Sequence, residues 1–344
     1  MRLDVLICVS KNPKLINNLL KALFQTDIDF DLYVIREKEF REKTLNYGMR
    51  LVGNRDLLIL GDDIILTPNW DKKLKQWANK ADIIGFSMLY PNTSKIQDTG
   101  YDLVKIDDQV TLMPQNRGKR KKTIKPFGFR ECDAICGCAM FIKKAVLKKL
   151  NDFSLDGQNR YGEFIYTYQA KRHGFKTIVL DHYLYHHGTS TKSNDNINYR
   201  SISWQYEKKL WEKIVAKYIN KKRMKINYQT RLSDKLKKFL GNANSLLIYG
   251  VGTITTRIIQ ELKPNKLAFC TGLPEEVGLK FFNYLVYDYK EINYKKFKTI
   301  IITTLANSSK IHNLLKPYLI QQHEIYKIIS SVNKGCIEYN IKKI

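Results

Sequence analysis

Short apolar runs alternating with amphipathic helical stretches predict an α/β protein, with a larger sheet domain followed by a smaller one. Three observations carry this. Leu3–Val9 reads as a strand and is followed by Leu15, Ile16, Leu19, Leu20 and Leu23 at helical spacing. The alternation repeats along the first 180 residues. It then restarts after Gly241 with a strand, Gly250-Val251-Gly252-Thr253 and a helix. The 344 residues are enough for two cores.

Taken in order, Asn12-Pro13 caps the first helix. Asp31–Arg36 and Asp56–Leu60 are strands. Thr67-Pro68 opens a helix with the stripe Trp70, Leu74, Trp77 and Ala81, and Asp82–Ser87 is the next strand. This alternation indicates a parallel sheet whose ligand sites lie beyond the carboxyl ends of its strands, where Asp62 and Asp63 stand. From Asn92 to Arg130 the pattern becomes polar and basic, as expected of a surface insertion with only weak strands. Regularity returns with a strand at Cys138–Ile142 and helices from Lys143 to Leu150 and from Glu163 to His173, the latter stopped by Gly174. A strand follows at Thr177–Leu180. We expect a first domain over 1–200, a basic helical connector over 201–239 with Trp204, Trp211, Ile214, Val215 and Tyr218 on one face, and a second domain over 240–344.

Composition removes several classes. With 44% hydrophobic and 12% aromatic residues the chain is globular, not disordered. No apolar run reaches the ~18 residues of a spanning helix, and Leu3–Val9, broken by Asp4 and closed by Lys11, reads as a strand and not a signal peptide. Six scattered cysteines suit reduced thiols and a cytoplasmic setting. The excess of 59 basic over 33 acidic residues, a net +26, suits an anionic partner. The run Arg117 to Lys122 and the basic stretch after 203 carry no recognised nucleic-acid signature. Peripheral contact with an anionic membrane face or an acidic glycan fits them better, with a solvated face as the alternative.

The chemistry-bearing residues form a succession. Gly61-Asp62-Asp63 ends an apolar strand, where paired carboxylates suit a hard divalent cation or simply close a turn. Upstream stands Leu45-Asn46-Tyr47-Gly48-Met49-Arg50. Downstream, Cys132-Asp133-Ala134-Ile135-Cys136-Gly137-Cys138 leads into the apolar strand, followed by Tyr161-Gly162-Glu163-Phe164, Lys171-Arg172-His173-Gly174-Phe175-Lys176 and Tyr185-His186-His187-Gly188-Thr189-Ser190. Cys132, Cys136 and Cys138 invite a zinc reading, but no fourth ligand stands at a suitable spacing, so buried free thiols are expected.

In its order and spacing, this succession resembles family 2 glycosyltransferases of the GT-A fold, over residues 1 to 200. The resemblance implies a nucleotide-sugar donor, a UDP-sugar first among them, and a glycan, lipid-linked or protein acceptor, in surface polysaccharide or glycoconjugate synthesis. It also implies a divalent cation, Mn2+ or Mg2+, that acts as a Lewis acid on the departing diphosphate. It makes Asn46, Asp62, Asp63 and Gly137 donor-binding. Asp63 becomes the retained metal ligand, with Asp62 assisting and His186 or His187 completing the site, His186 being the closer match. Glu163 becomes the base that takes the acceptor's proton. Two positions depart from the family pattern: Gly61 replaces its first acidic residue, and Phe164 replaces the second acid of its Glu-Asp pair. A non-catalytic nucleotide- or glycan-binding protein and a nucleic-acid-binding protein remain the alternatives.

Gly250, Gly252 and Thr253 form a candidate phosphate loop at a helix N-terminus, as in Rossmann-like modules. The next strand ends at Cys270-Thr271-Gly272 without an acid for a ribose diol, so no hydride transfer is expected from residues 240 to 344.

Overall fold

Strand β1 (Arg2–Val9) shows how the first core is built. Its residues alternate between two apolar clusters, Leu3, Val5, Ile7 and Val9 on one side, Leu6 and Cys8 on the other. A strand covered on both faces must be apolar at nearly every position, which is why it reads as an unbroken run. The computed structural model describes the chain outside residues 10–15, 37–40, 107–108, 158–160, 188–203, 220–226, 244, 251–253, 256–257, 260–266, 273–276, 279, 282–283, 304–307, 320–321 and 334–335. The expected Asn12-Pro13 cap lies outside the described residues.

Helix α1 (Ile16–Phe24) buries Leu19 and Leu23, and β2 (Asp29–Arg36) pairs parallel with β1. Helix α2 (Arg41–Leu51) precedes β3 (Asp56–Gly61), which lies parallel on the other side of β1 and runs through a two-residue turn into β4 (Ile64–Ile65). Helix α3 (Trp70–Trp77) buries Trp70 and Leu74, and Ala81 is buried beyond its end. Strand β5 (Ile83–Leu89) is buried throughout. The polar insertion is more regular than expected, containing β6 (Ile96–Asp98), β7 (Tyr101–Ile106), β8 (Gln109–Pro114) and β9 (Phe129–Glu131). Strand β10 (Ala139–Ile142), α4 (Lys144–Leu150), α5 (Gly162–Arg172) and β11 (Thr177–His186) follow. Gly174 stops α5 at a φ of 87°, where only glycine avoids strain. Strand β11 runs six residues past the expected Leu180, because β5 and the turn strand β4 continue the ladder beside it.

The sheet order is β2-β1-β3-β10-β5-β11-β4. The expectation of a parallel sheet needs correction. Strand β10 runs antiparallel between β3 and β5, and β4 runs antiparallel to β11. Apolar periodicity is the same for either strand direction, so the sequence does not distinguish them.

Contacts divide the chain into one unit of residues 1–104, 110–199 and 213–223 and another of 105–109, 200–212 and 224–344. The expected helical connector is also corrected. Helix α6 (Trp204–Tyr218) is followed by strand β12 (Asn227–Leu232) and helix α7 (Asp234–Gly241), whose N-cap Ser233 accepts the Leu236 amide. Strand β12 belongs to the second unit's sheet, parallel to its last strand, so a truncation near Arg231 would cut that sheet.

The second unit continues with β13 (Leu246–Tyr249), β14 (Leu267–Thr271), β15 (Lys280–Phe281), β16 (Tyr284–Asp288), β17 (Thr299–Ile302), α8 (Ser308–Leu315), β18 (Glu324–Asn333) and β19 (Cys336–Lys343). Strands β16, β14, β13, β17 and β18 lie side by side and parallel, the order of a doubly wound sheet. Leu247, Cys270, Ile300, Ile302 and Leu315 fill its core. No helix among the described residues is long and apolar enough to cross a membrane.

Candidate active site

Strand register brings four loops of the first unit to one place. Leu60 of β3 pairs with Ala139 of β10, so the Gly61 amide donates to the Cys138 carbonyl at 2.7 Å. Ile64 pairs with His186, which sets the last residue of β11 beside the Asp62-Asp63 turn, and the His187 amide donates to the Asp63 carbonyl at 3.1 Å. Strand β6 pairs with β5 and carries Gln97 and Asp98 to the same edge. Asp62 and Asp63 are both buried.

Asp63 Oδ2 lies 3.5 Å from His186 Nε2, and the other ring nitrogen, Nδ1, is 3.0 Å from Gln97 Oε1. Burial pulls the His186 pKa down. The Asp63 carboxylate and the neighbouring Cys136 thiol outweigh it and carry the imidazole up to about 9. His187 Nε2 is buried and makes no hydrogen bond among the described residues. The glycine before Asp62 has a local reason. A Cβ at Gly61 would stand 3.1 Å from Asp63 Oδ1, so the Asp63 carboxylate occupies the space beside it.

Glu163, in the first turn of α5, lies against the backbone of Gly137. A Cβ there would overlap its Cγ and carboxylate, so only glycine permits this approach. Arg41 joins the two. Its Nη2 donates to the Gly137 carbonyl at 3.0 Å and its Nε stands 3.4 Å from Glu163 Oε1. Asn46 is tied to the backbone of Phe153. Its Nδ2 donates to the Phe153 carbonyl at 2.9 Å and its Oδ1 accepts the Phe153 amide at 2.7 Å, so its amide holds the chain that follows α4.

Several residues at the site were not singled out from the sequence. Arg41 begins a helix with nothing nearby to mark it. Gln97, Asp98 and Tyr101 lie in the insertion that reads as surface. Asp98 is fully buried, and its carboxylate accepts the Gly100 amide and the Tyr101 hydroxyl, each at 3.2 Å. Burial raises the Asp98 pKa, and it raises that of Tyr101 further with help from the Asp98 charge. Cys136 and Cys138, expected as buried free thiols, also stand here. Their sulfurs are 2.9 Å apart, and one ligand atom of each lies within 4.8 Å of the other and of a His186 ring nitrogen. The hydrogen bond shared with Cys138 lowers the Cys136 pKa, while burial pushes Cys138 up. Cys132 lies apart, against Gly100.

Of the residues expected to hold a metal, His186 therefore joins a three-ligand cluster, Asp63 pairs with His186, and Asp62 and His187 flank the turn. Gly250 ends β13 at a φ of 98°. Gly252 and Thr253 lie outside the described residues.

No protein-family model and no curated protein matches the sequence. Among solved structures, the chain is similar to the A197 protein of STIV at 19% identity, over 52% of this chain and 82% of that one, with a TM-score of 0.32. It is similar to the mannosyltransferase PcManGT of Pyrobaculum calidifontis, in complex with GDP-Man and Mn2+, at 11% identity, over 62% of this chain and 64% of that one, with a TM-score of 0.40. It is also similar to GalNAc-T7 with UDP, GalNAc and Mn2+, at 14% identity, over 54% of this chain and 44% of that one, with a TM-score of 0.41. The chain thus spans less than two thirds of the length of the latter two. Likenesses this faint say nothing of chemistry, which has to come from the side chains described above.

Proposed function

We propose that the first unit is a glycosyltransferase, moving a sugar from a nucleotide-sugar donor to an acceptor hydroxyl with the help of a divalent cation. One observation supports this above the others: two carboxylates with separate partners stand at the carboxyl edge of one sheet, Asp63 beside His186 and Glu163 beside Arg41 and Gly137. Sugar transfer needs two such groups, one to help neutralise a departing diphosphate and one to take the acceptor's proton.

Asp63 and His186 would hold the cation, with Asp62 and His187 at its margin. Their fit is local: the Asp63 oxygen and the His186 nitrogen face each other across 3.5 Å, and a proton or a cation satisfies both. When bound, the ion would act as a Lewis acid on the phosphate oxygens. Glu163 would accept the acceptor's proton. Arg41 orients the Glu163 carboxylate, and Gly137 leaves it room. Asn46 supports the donor side by fixing the Phe153 backbone. Donor identity, with UDP-sugars first, belongs to this reading, as do a glycan or lipid-linked acceptor, a role in surface glycoconjugate synthesis, and a cytoplasmic location with peripheral contact to an anionic membrane. The second unit would position the enzyme or bind a partner, without redox chemistry.

A panel of nucleotide sugars, with and without Mn2+, tests the reading through binding and donor hydrolysis. Metal-dependent binding of at least one donor is expected. Absence of binding and hydrolysis across the panel would overturn the reading.

A further inference from the structure

We infer that Cys136, Cys138 and His186 form a Cys2His site for a thiophilic divalent cation, Zn2+ before Mn2+, with a coordination position left open. The inference rests on the proposed reading for the use of the ion and, because His186 belongs to both, makes the two thiols and His186 the holders of that one ion, with Asp63 beside it; the ligand cluster itself stands apart from that reading.

Both thiols and the imidazole offer ligand atoms that lie within 4.8 Å of one another. Tetrahedral zinc holds sulfur at ~2.3 Å and nitrogen at ~2.0 Å, so its ligand atoms fall within such a span. The donor set is soft, and thiolates favour Zn2+ over Mn2+ or Mg2+, which take oxygen ligands. Three protein ligands, the number found among the described residues, with a fourth position open is the pattern of a zinc that works on a substrate, whereas a structural zinc has four.

The surroundings of His186 point the same way. Gln97 Oε1 lies 3.0 Å from Nδ1, and an amide oxygen can only accept, so Nδ1 keeps a proton and Nε2 is the nitrogen a cation would take on displacing its proton. Such an outer hydrogen bond is what orients a metal-binding imidazole. Nε2 faces the Asp63 carboxylate oxygen at 3.5 Å, an ion pair while the ring is protonated, and a bound cation would replace that proton. The Cys138 carbonyl is held by the Gly61 amide at 2.7 Å and the Gly137 carbonyl by Arg41 at 3.0 Å, which fixes the short loop carrying both sulfurs. The Sγ–Sγ distance of 2.9 Å is longer than the ~2.05 Å of a disulfide, so both cysteines are free thiols. Ion binding would release the thiol protons to solvent, with no change of oxidation state.

The full chain, purified, stripped with chelator and kept reduced, is titrated with Co2+. A thiolate-to-cobalt charge-transfer band in the near ultraviolet that saturates at one ion per chain is expected, with Zn2+ displacing the cobalt and Mn2+ failing to. Cys136→Ser and Cys138→Ser should each lower the band by about half, because each removes one of the two thiolates. Cys270→Ser, in the second unit, should leave it unchanged. If the cysteine variants do not fold, Gln97→Ala keeps all three ligands and should weaken Zn2+ binding by about 10- to 100-fold.

A folded, reduced chain that gives no band would overturn the site, as would a band of undiminished intensity in both cysteine variants. Preference for Mn2+ over Zn2+ would do the same. Donor binding is measured on the same preparations. A chain that binds nucleotide sugar with Mn2+ and shows no cobalt band refutes this site and leaves the proposed transferase standing. A cobalt band without any nucleotide-sugar binding does the reverse.

Discussion

The carboxyl ends of the two sheets make an instructive pair. In the first unit, Asp62, Asp63 and Asp98 are drawn out of water at the strand ends beside the half-buried His186, with Glu163, Arg41 and two thiols near them. In the second unit, at the equivalent ends of β13 and β17, hydroxyls do the work. Thr303 Oγ1 donates to the Tyr249 carbonyl at 3.0 Å and Thr255 Oγ1 to the Gly250 carbonyl at 2.9 Å. Asp288, at the end of β16, accepts the amide of Lys290 in its own turn. Hydroxyl–carbonyl bonds close a strand end without burying a charge, so the charges of the first unit are not required by folding. Taking ionised groups out of water costs several kcal/mol each unless they are paired. The side chains at the strand ends thus set the two units apart.

That contrast can be broken most directly at Asp63. Asp63→Ala should abolish transfer and the metal-dependent part of nucleotide affinity, and unchanged turnover in chelator would remove the ion from the mechanism. Next in size, Glu163→Gln should lower kcat by about 100-fold while donor affinity stays nearly intact. Gly137→Ala should follow it, because the added methyl displaces the Glu163 side chain. Near-normal kcat in both variants would return Glu163 to a purely structural place at the start of α5.

On the other side, Thr303→Val should cost stability and leave catalysis alone. The loss of buried hydrogen bonds amounts to about 1–3 kcal/mol in denaturant unfolding. A large fall in kcat for this variant would mean that the strand ends of the second unit also take part in chemistry.

The smallest expected effect lies at Asp156. Hydrogen bonds from Lys217 and Tyr218 hold its pKa below the ordinary carboxylate range. The folded pKa lies below the unfolded one, so this contribution is complete above the unfolded value and is lost as pH falls through the folded one. Asp156→Asn should lower stability slightly near neutrality, where the contribution is complete, and the difference from the parent chain should vanish as pH falls through the folded pKa. Equal acid sensitivity in the variant and the parent chain would show that α6 gains nothing from this pair.

Much of this was legible in the residues alone. The apolar run Leu3–Val9, the stripe of α1 and the stop at Gly174 are local patterns, and each appears where expected. The Asp62-Asp63 turn at the end of β3 was visible for the same reason. The strands of the 92–130 insertion were not, because a ladder edged by polar residues has no apolar period. Strand β12 was hidden by the basic residues around it.

What the sequence determined by itself was local: which segments are strands or helices, which faces are apolar, and which turns need glycine. The tertiary structure alone decided that β10 runs antiparallel, that Arg41 bridges Glu163 and Gly137, and that His186 meets two thiols lying 48 to 50 positions earlier in the chain. Periodicity along a chain reports how each segment meets its nearest layer. The meeting of loops from different strands depends on ladder register, a property of pairs of segments that no single segment carries.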